Sequence, residues 1–148
     1  MAEIKKILFA YEIAEISDDM APWVELLAKS HGAEVLVLHV VPEMDYYGVP
    51  YALPPSRLDD QKELLGSAER KVREFCERNL HVPYKSMVAS GKPAEIILKT
   101  IRSEGISIAV LGTHGRKGLD RMIFGSVTDR VLRLSPVPIF CIGPAEDT

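Results

Sequence analysis

The sequence predicts a single α/β domain, built as a five-stranded parallel sheet with helices on both faces. Short apolar runs alternate along the chain with segments whose apolar residues recur at helical spacing, which is the order expected for a parallel sheet. The run at residues 33–41 (AEVLVLHVV) is almost continuously apolar, as in a strand covered on both faces. A chain of 148 residues, 47% of them hydrophobic, suits one domain over residues 1–148 with a substantial core.

The first predicted strand is followed by an amphipathic helix. Residues 4–11 (IKKILFAY) predict the strand. A helix is predicted over residues 17–30, where Ser17 is expected to cap the start and Gly32 to end it. The apolar face of this helix, and hence its expected contribution to the core, consists of Met20, Trp23, Val24, Leu27 and Ala28.

A long loop and the longest helix follow the second strand. Residues 42–56 contain four prolines and three tyrosines, which predicts an irregular segment. Residues 57–79 predict a helix with a charged outer face, and residues 84–89 predict a short third strand. The buried side of the helix is expected to consist of Leu58, Leu65, Ala68, Val72 and Phe75.

The second half of the chain repeats the alternation with shorter elements. A Gly-Lys-Pro turn at residues 91–93 leads into a helix that ends at Gly105. Residues 106–111 predict the fourth strand, residues 126–134 a helix, and residues 138–142 the fifth strand. Ligands bind to such sheets outside the carboxyl ends of the strands, where the strand order reverses, so functional residues are expected at those ends.

Charge, hydropathy and cysteine spacing exclude several classes of protein. The formal net charge is −3, which argues against a dedicated nucleic-acid-binding protein. No apolar run is long enough to span a bilayer or to form the core of a signal peptide, so no membrane partner and a cytoplasmic location are expected. Cys76 and Cys141 have no metal-ligand spacing and are expected to be buried free thiols.

The densest set of glycines and cations follows the fourth predicted strand. Residues 112–116 read GTHGR, and nine residues separate Gly115 from Gly125. Ser126 is expected to cap the last helix, with Asp129 completing a shortened capping box. Glycine admits a positive φ and lets backbone amides approach a ligand, and a helix start favours anions. The amides near Gly115 and Ser126 therefore predict a site for a chain of phosphates.

Other phosphate-binding and catalytic motifs do not match. A P-loop fails because Gly118 is followed by Leu119, and the turn after the first strand (YEIAE) has no glycine for a dinucleotide fingerprint. No Ser-His-Asp arrangement or pair of carboxylates is present, which leaves Glu12 as the carboxylate expected at the correct strand end for a metal or a general base. The sequence thus favours phosphate binding over catalysis.

The spacing of the glycines resembles the nucleotide-binding signature of the universal stress protein family. The match is G-T-H-G, nine residues and then G-S, and similar segments are KKILFA, VLHV, GKPAEII and VPIFCIG. The resemblance implies a Rossmann-like fold of the adenine nucleotide α-hydrolase type, a stress-response role and ATP as the ligand. It also implies a homodimer joined through the last strand, from Pro138 to Ile142.

The resemblance further implies which residues bind the nucleotide. The end of the first strand and Val40 would hold the adenine, and the glycine-rich segments would hold the ribose and the phosphates. One departure lies at Tyr11 and Glu12, where the family commonly has a small or polar residue followed by Asp. The implied set is Ala10, Tyr11, Glu12, Val40, Leu111, Gly112, His114, Gly115, Arg116, Gly125, Ser126 and Val127, with Glu12 also as a ligand of Mg²⁺.

Three functions are compatible with this sequence. The first is an ATP-binding regulatory module that acts through conformation or partner choice. The second is a slow ATPase or another nucleotide-dependent enzyme that uses the same loop and Glu12. The third is a nucleotide-free dimeric interaction protein, which the bulk of Tyr11 favours.

His31, His39 and His81 have no partners visible in the sequence and are expected to be structural.

Overall fold

Strands and helices alternate throughout the part of the chain that the computed structural model describes, which comprises residues 2–12, 15–43, 55–112 and 125–143. The α/β class predicted from the sequence is therefore confirmed. No helix in these ranges is long and apolar enough to cross a membrane. The elements are β1 (Lys6–Ala10), α1 (Glu15–His31), β2 (Glu34–Pro42), α2 (Pro55–Asn79), β3 (Tyr84–Gly91), α3 (Pro93–Ser103), β4 (Ile108–Gly112), α4 (Ser126–Leu134) and β5 (Ile139–Ile142).

The five strands form one parallel sheet in the order β3-β2-β1-β4-β5. β1 is central and pairs with β2 on one side and with β4 on the other, with Phe9 opposite both Val37 and Val110. The strand order therefore reverses between β1 and β4. Such a reversal leaves a crevice outside the carboxyl ends of the two strands. Here the crevice lies beyond Ala10 and Gly112.

Alternate side chains of the sheet enter two separate apolar layers. Helices α1 and α2 cover one face, called here the α1–α2 face, and helices α3 and α4 cover the opposite α3–α4 face. Each large side chain removed from water contributes roughly 1.5–3 kcal/mol to the stability of the fold. On the α1–α2 face the strands contribute Ile7, Phe9, Val35, Val37 and Val110, and on the α3–α4 face Leu8, Leu36, Leu38, Ala109 and Leu111.

Helices α1 and α2 both begin two residues before their predicted starts. α1 begins at Glu15, so Ser17 is its third residue and not its cap. The Ser17 hydroxyl instead donates to the backbone carbonyl of Glu12 at 2.6 Å and accepts from the Glu12 amide at 3.2 Å. α2 begins at Pro55, whose fixed φ suits the first turn of a helix. In both cases the start of the helix lies two residues earlier than predicted, and the order of the elements is unchanged.

Strand boundaries differ from the predicted ones by one or two residues. β3 continues to Gly91, and β4 begins at Ile108, two residues after its predicted start. β5 begins at Ile139, but the carbonyl of Pro138 already accepts a bond from the Ala109 amide at 3.1 Å. Pro138 has no amide hydrogen, which explains why it lies at the start of the strand.

Two positions expected to be buried are exposed or only partly buried. Trp23 was expected on the buried face of α1, but it is 51% exposed, because α1 buries Met20 and Val24 against β1 and β4 and leaves Trp23 on its flank. Cys76 is buried as predicted, and burial raises the pKa of its thiol to about 11. Cys141 is only partly buried, since β5 is an edge strand.

Candidate functional site

Hydrogen bonds to two neighbouring elements hold the segment that follows β1. The Tyr11 amide donates to the carbonyl of Leu38 at 2.8 Å, and Nδ1 of His39 donates to the carbonyl of Tyr11 at 2.9 Å. Ser17 binds both backbone groups of Glu12. The backbone of residues 11–12 is therefore fixed, and the exposed Glu12 side chain extends from a defined point at the crevice. His39, expected to be merely structural, stabilises this corner.

The side chain of Tyr11 lies on the α1–α2 face, away from the α3–α4 side of the crevice. Its ring is buried, with centroids 4.3 Å from the ring of Phe75 and 6.0 Å from that of His39. Burial, with a smaller contribution from the carboxylate of Asp18, raises the pKa of Tyr11, although the guanidinium of Arg78 acts in the opposite direction. The bulk of Tyr11 therefore does not obstruct the opposite face.

Small apolar side chains converge on the α3–α4 face near the carboxyl edge of the sheet. Ala10 and Val40 are partly exposed there, and Leu111 is buried in the same layer. Ala89 lies opposite Val40 in the sheet register, and Ile96 of α3 packs against the same layer. This group, the apolar platform, consists of Ala10, Val40, Ala89, Ile96, Leu111 and Val127. A half-exposed apolar surface of this kind suits a flat aromatic ligand.

Ala89 and Ile96 were not identified from the sequence. Each has the appearance of an ordinary core residue, and neither belongs to a glycine-rich motif. The short turn at residues 91–93 could have indicated their position. It links the carboxyl end of β3 directly to the start of α3, and so places Ala89 and Ile96 near the same edge of the sheet. Gly91 in this turn has a φ of +153°, and a Cβ there would lie 3.0 Å from the side chain of Ile96.

The N-cap residue of helix α4 has no side chain that could bond the first backbone amides of the helix. Gly125 is the N-cap residue and Ser126 is the first helical residue, so the predicted N-cap role of Ser126 is wrong. The reason is that the Gly125 carbonyl already accepts the first helical bond, from the Asp129 amide at 3.0 Å. The amides of Ser126, Val127 and Thr128 have no partner within the helix. Such a helix start is suited to bind an anion.

The two described glycines of the signature lack a side chain for different reasons. A Cβ on Gly125 would meet no atom of the described residues within 4 Å, and the φ of −60° at this residue is open to any amino acid, so this position does not use the freedom of glycine to adopt a positive φ. A Cβ on Gly112 would lie only 3.2 Å from the sulfur of Met20 in α1. Packing of the core therefore explains Gly112, whereas it does not explain Gly125.

A hydrogen bond joins the start of α4 to the end of β4. The hydroxyl of Thr128 donates to the carbonyl of Gly112 at 2.9 Å, and Thr128 is buried. The chain leaves β4 at Gly112 and reaches α4 at Gly125, so this bond connects the two ends of the intervening segment and holds the open amides beside the crevice. Three predicted site residues, His114, Gly115 and Arg116, lie outside the described residues. The other nine lie at the carboxyl edge of the sheet or at the start of α4.

Charged side chains of both signs surround the start of α4. A groove of about 550 Å³ runs between the first turns of α3 and α4. Within it, the carboxylate of Asp129 forms an ion pair with the guanidinium of Arg133, with 3.1 Å between Oδ2 and Nε, instead of completing a capping box. A larger depression of about 870 Å³ lies along α2, and none of its described lining residues is a predicted site residue. The charged residues described along the groove are Lys92, Glu95, Asp129, Arg130 and Arg133, with one more cation than carboxylates.

Glu12 is the residue expected to bind Mg²⁺. Its side chain is exposed where the chain leaves β1. Within the described ranges, no group of three or more His, Cys, Asp or Glu side chains lies close enough to hold a metal ion. Mg²⁺ commonly takes one or two protein carboxylates together with the phosphates of a nucleotide. A single exposed carboxylate at this edge fits that mode of binding.

Comparison with known proteins gives one consistent family. The family model described as the universal stress protein family matches residues 3–143. A universal stress protein of Thermus aquaticus is 31% identical over 140 residues, which cover 93% of this chain and 98% of that protein. The universal stress protein YxiE of Bacillus subtilis is 29% identical over 147 residues, which cover 93% and 97% of the two chains.

Solved structures share the fold over nearly the whole chain. The protein MJ0577 of Methanocaldococcus jannaschii superposes with a TM-score of 0.83 at 24% identity, and the match covers 99% of this chain and 100% of that one. A universal stress protein of Archaeoglobus fulgidus in complex with dAMP has a TM-score of 0.60 at 17% identity, with 96% and 99% covered. A universal stress protein in complex with cAMP has a TM-score of 0.65 at 11% identity, with 95% and 98% covered. At these identities the likeness establishes the fold alone.

Proposed function

Since this chain belongs to the universal stress protein family, we propose that it binds an adenine nucleotide, ATP in particular, at the carboxyl edge of its sheet. The observation that carries the proposal is the uncapped start of α4, where the amides of Ser126 and Val127 have no helical partner. The bond from Thr128 to Gly112 holds these amides beside the point at which the strand order reverses. The dAMP and cAMP complexes of two relatives support an adenine nucleotide as the ligand.

In the proposed complex the apolar platform receives the adenine, and the phosphates reach the start of α4. Platform and helix start lie on the same α3–α4 face, because Val127 belongs to both. Tyr11 contributes to the proposed site through its backbone and not through its ring. Its amide donates to the carbonyl of Leu38, and its carbonyl accepts from the His39 ring. The proposed phosphate-binding residues are Gly112, His114, Gly115, Arg116, Gly125, Ser126 and Val127.

Glu12 is the proposed protein ligand of Mg²⁺ at this site. The ion, when bound, neutralises part of the phosphate charge. The part played by this chain is to present one carboxylate from a corner whose backbone Ser17 fixes. Lys92 and Arg130 lie along the groove at the start of α4 and add positive charge near the proposed phosphates.

The proposed role is retention of the nucleotide in a regulatory, stress-response module, and not rapid turnover. Backbone amides stabilise a bound phosphate in the ground state as well as in a transition state, which raises affinity without raising turnover. A slow ATPase that uses Glu12 is the second candidate. The nucleotide-free alternative rested on the bulk of Tyr11, and that ring lies on the other face of the sheet.

We also propose that two copies pair through β5. The strand (IFCI) has no charged residue and lies at the edge of the sheet, where its outer backbone groups are open to another strand. The opposite edge differs, since β3 carries Lys85, whose ammonium lies 4.0 Å from the carboxylate of Glu34. A lysine on an edge strand discourages pairing with another chain. The cytoplasmic location stays a prediction from the sequence.

The test is to measure what the purified protein carries and binds. We expect adenine nucleotide in the extract of the purified protein, and calorimetric titration with ATP and Mg²⁺ to give saturable binding that GTP does not reproduce. Phosphate release followed over hours separates retention from hydrolysis. Absence of ATP binding in a folded sample contradicts the nucleotide proposal and leaves an interaction protein. Turnover of several per second contradicts the regulatory role.

A further inference from the structure

Two grooves adjoin on the outer surface of α3 and α4. The groove of about 550 Å³ between the two helices shares Glu95 with a second one, of about 460 Å³, that follows the exposed side of α3. Together they form the surface called here the α3–α4 groove. It is basic, although the whole chain has a formal net charge of −3. The charged residues described along it are the cations Lys92, Lys99, Arg102, Arg130 and Arg133 and the carboxylates Glu95 and Asp129.

Contacts at both ends fix the walls of the α3–α4 groove. At one end, the hydroxyl of Thr128 donates to the carbonyl of Gly112 and holds the start of α4. At the other end, Nη2 of Arg102 donates at 3.5 Å to the carbonyl of Leu134, the last residue of α4. Because α4 has nine residues, the groove offers a ligand a length of about 12 Å.

The groove also has an apolar surface between its charges. Leu134 lines it and is 51% exposed, and Ala94 and Leu98 are buried at its base. Val127 is partly exposed where α4 begins. Such a surface accepts an apolar side chain, and the surrounding cations favour carboxylates beside it. The complementary ligand is therefore an apolar residue flanked by acidic ones.

A protein segment fits this surface better than a nucleic acid does. The carboxylates of Glu95 and Asp129 stand among the cations and would repel a continuous row of phosphates, whereas separate acidic side chains can lie around them. The length of the groove equals about two turns of an α-helix, and an amphipathic helix carries apolar anchors along one side with charges next to them. We infer that the α3–α4 groove is a docking surface for an acidic amphipathic helix of a partner protein.

The docking surface includes the start of α4, and so it overlaps the proposed nucleotide site. Lys92 and Arg130 line the groove and also lie near the proposed phosphates. A bound nucleotide neutralises these cations and adds negative charge where the acidic helix would lie, so the two ligands oppose each other. Such coupling is reciprocal, and each ligand lowers the affinity of the other by the same factor. This opposition rests on the proposed function and gives the regulatory module a class of partner.

The test lets the protein select its ligand from random peptides displayed on phage, each of about 16 residues and so long enough to form a helix. We expect the selected peptides to be acidic, with large apolar residues at helical spacing. One of them is synthesised with a fluorescein label and titrated by fluorescence anisotropy. Its affinity should fall as the salt concentration rises, because salt screens the charge pairs.

Charge substitutions away from the start of α4 separate docking from nucleotide binding. The double variant Lys99→Glu/Arg133→Gln is expected to weaken the peptide roughly tenfold. The control, Lys71→Glu/Arg73→Gln, makes the same change in net charge at exposed positions of α2 and should leave the peptide affinity unchanged. ATP affinity should be equal in the two double variants.

A second pair of variants tests the apolar part of the groove. Leu134→Ala should weaken the peptide several-fold, because it removes the exposed leucine of the docking surface. Leu64→Ala removes an equally exposed leucine from α2 and should have no effect. Circular dichroism of each variant verifies that its fold is retained.

The outcomes distinguish the docking surface from the nucleotide site. Selected peptides that lack acidic residues, or that bind Lys99→Glu/Arg133→Gln as tightly as the parent, overturn the docking surface. A labelled single-stranded DNA that binds the parent but not this variant would assign the groove to nucleic acid instead. ATP with Mg²⁺ should weaken the peptide several-fold, and ATP binding without this effect overturns the opposition. If the peptide docks but calorimetry detects no ATP binding, the nucleotide proposal fails and the docking surface stands.

Discussion

The hydroxyl of Thr128 donates to the carbonyl of Gly112 over 2.9 Å, so the first turn of α4 is bonded to the last residue of β4. Thr128 is buried, and Gly112 is the last residue of β4, so both residues belong to the packed domain. The open amides of α4 are therefore held at the carboxyl edge by the protein itself, before any ligand arrives.

Removal of this hydrogen bond should weaken stability and ligand binding together. Thr128→Val keeps the shape of the side chain but leaves the partly buried Gly112 carbonyl without this donor, and we expect a loss of about 0.5–1.5 kcal/mol in the free energy of unfolding. ATP affinity should fall several-fold, because the amides of Ser126 and Val127 lose their fixed position. Urea unfolding and calorimetric titration measure the two effects. Thr128→Ser retains the hydroxyl and is the control; an equal loss in both variants would point to packing instead.

A side chain at position 125 should block the ligand and spare the fold. Gly125 has an unstrained φ of −60°, and no atom of the described residues lies within 4 Å of where a Cβ would stand, so Gly125→Val is expected to retain the parent structure. The branched side chain would occupy the space in front of the α4 amides, and ATP binding should be lost. Gly66→Ala, at a helix surface with equally open space, is the control. Unchanged ATP affinity in a folded Gly125→Val variant would locate the nucleotide elsewhere.

Glu12 should govern the slow turnover and the effect of Mg²⁺, and not affinity. Parent turnover is expected well below the roughly 1–1000 per second of ordinary enzymes. Glu12→Gln removes the charge from a side chain whose backbone stays fixed by Ser17, so nucleotide affinity should change little while residual hydrolysis and Mg²⁺ dependence fall. Glu43→Gln, an exposed carboxylate just after β2, is the matched control. A slow rate that is the same in Glu12→Gln and the parent excludes Glu12 from the mechanism.

A charge on β5 should prevent dimer formation, whereas the same charge on the other edge should not. The sequence suggests Ile139→Lys, but Ile139 packs against the α3–α4 layer, where lysine would disturb the monomer. Phe140→Lys is the sharper test, because Phe140 is 37% exposed, and light scattering should then give a monomer. Met87→Lys on β3, at 38% exposure, is the control and should stay dimeric. Dissociation by both variants would argue against β5 as the specific contact.

The buried thiol of Cys76 should make the fold less stable at alkaline pH. Burial, and secondarily the carboxylate of Glu77, raise the pKa of this thiol from 9.0 to about 11. Between these values the thiol ionises in the unfolded chain but stays protonated in the folded one, so stability is unaffected below about pH 9 and decreases towards pH 11. At about 1.4 kcal/mol per pKa unit, the loss reaches roughly 2–3 kcal/mol. Urea unfolding of the parent and of Cys76→Ala at several pH values measures it; equal pH slopes would contradict the assignment.

The order of elements could be predicted from the sequence because the local signals are strong. The apolar run of β2 and the amphipathic helices leave little ambiguity, and the glycine spacing pointed to the carboxyl ends of the strands. The strand order β3-β2-β1-β4-β5 depends on pairing between distant segments, which local patterns do not encode. The orientation of Tyr11 was in fact predictable, since it lies two residues after Phe9 and must share its face in a strand.

Other differences between prediction and structure arise because the packing of the elements, and not the local sequence pattern, determines where a residue lies. Trp23 has the helical spacing of a core residue, but only the arrangement of α1 over β1 and β4 determines that its side of the helix is open. Ser126 has the sequence context of a cap, but the Gly125 carbonyl begins the helix one residue earlier. Ala89 and Ile96 join the apolar platform through strand register and helix packing, neither of which their own sequence neighbourhood specifies.

The limited space between Gly112 and Met20 imposes a different evolutionary constraint from the open space at Gly125. A side chain at position 112 would press on the sulfur of Met20 with or without a ligand, so folding itself disfavours a larger residue there. At position 125 the monomer accepts other residues, and Ser, Asp or Asn would even cap α4 better. Lineages that abandon the ligand are therefore freer to diverge at 125 than at 112. Glycine at 125, and not at 112, is then the residue by which retained binding can be recognised in a related sequence.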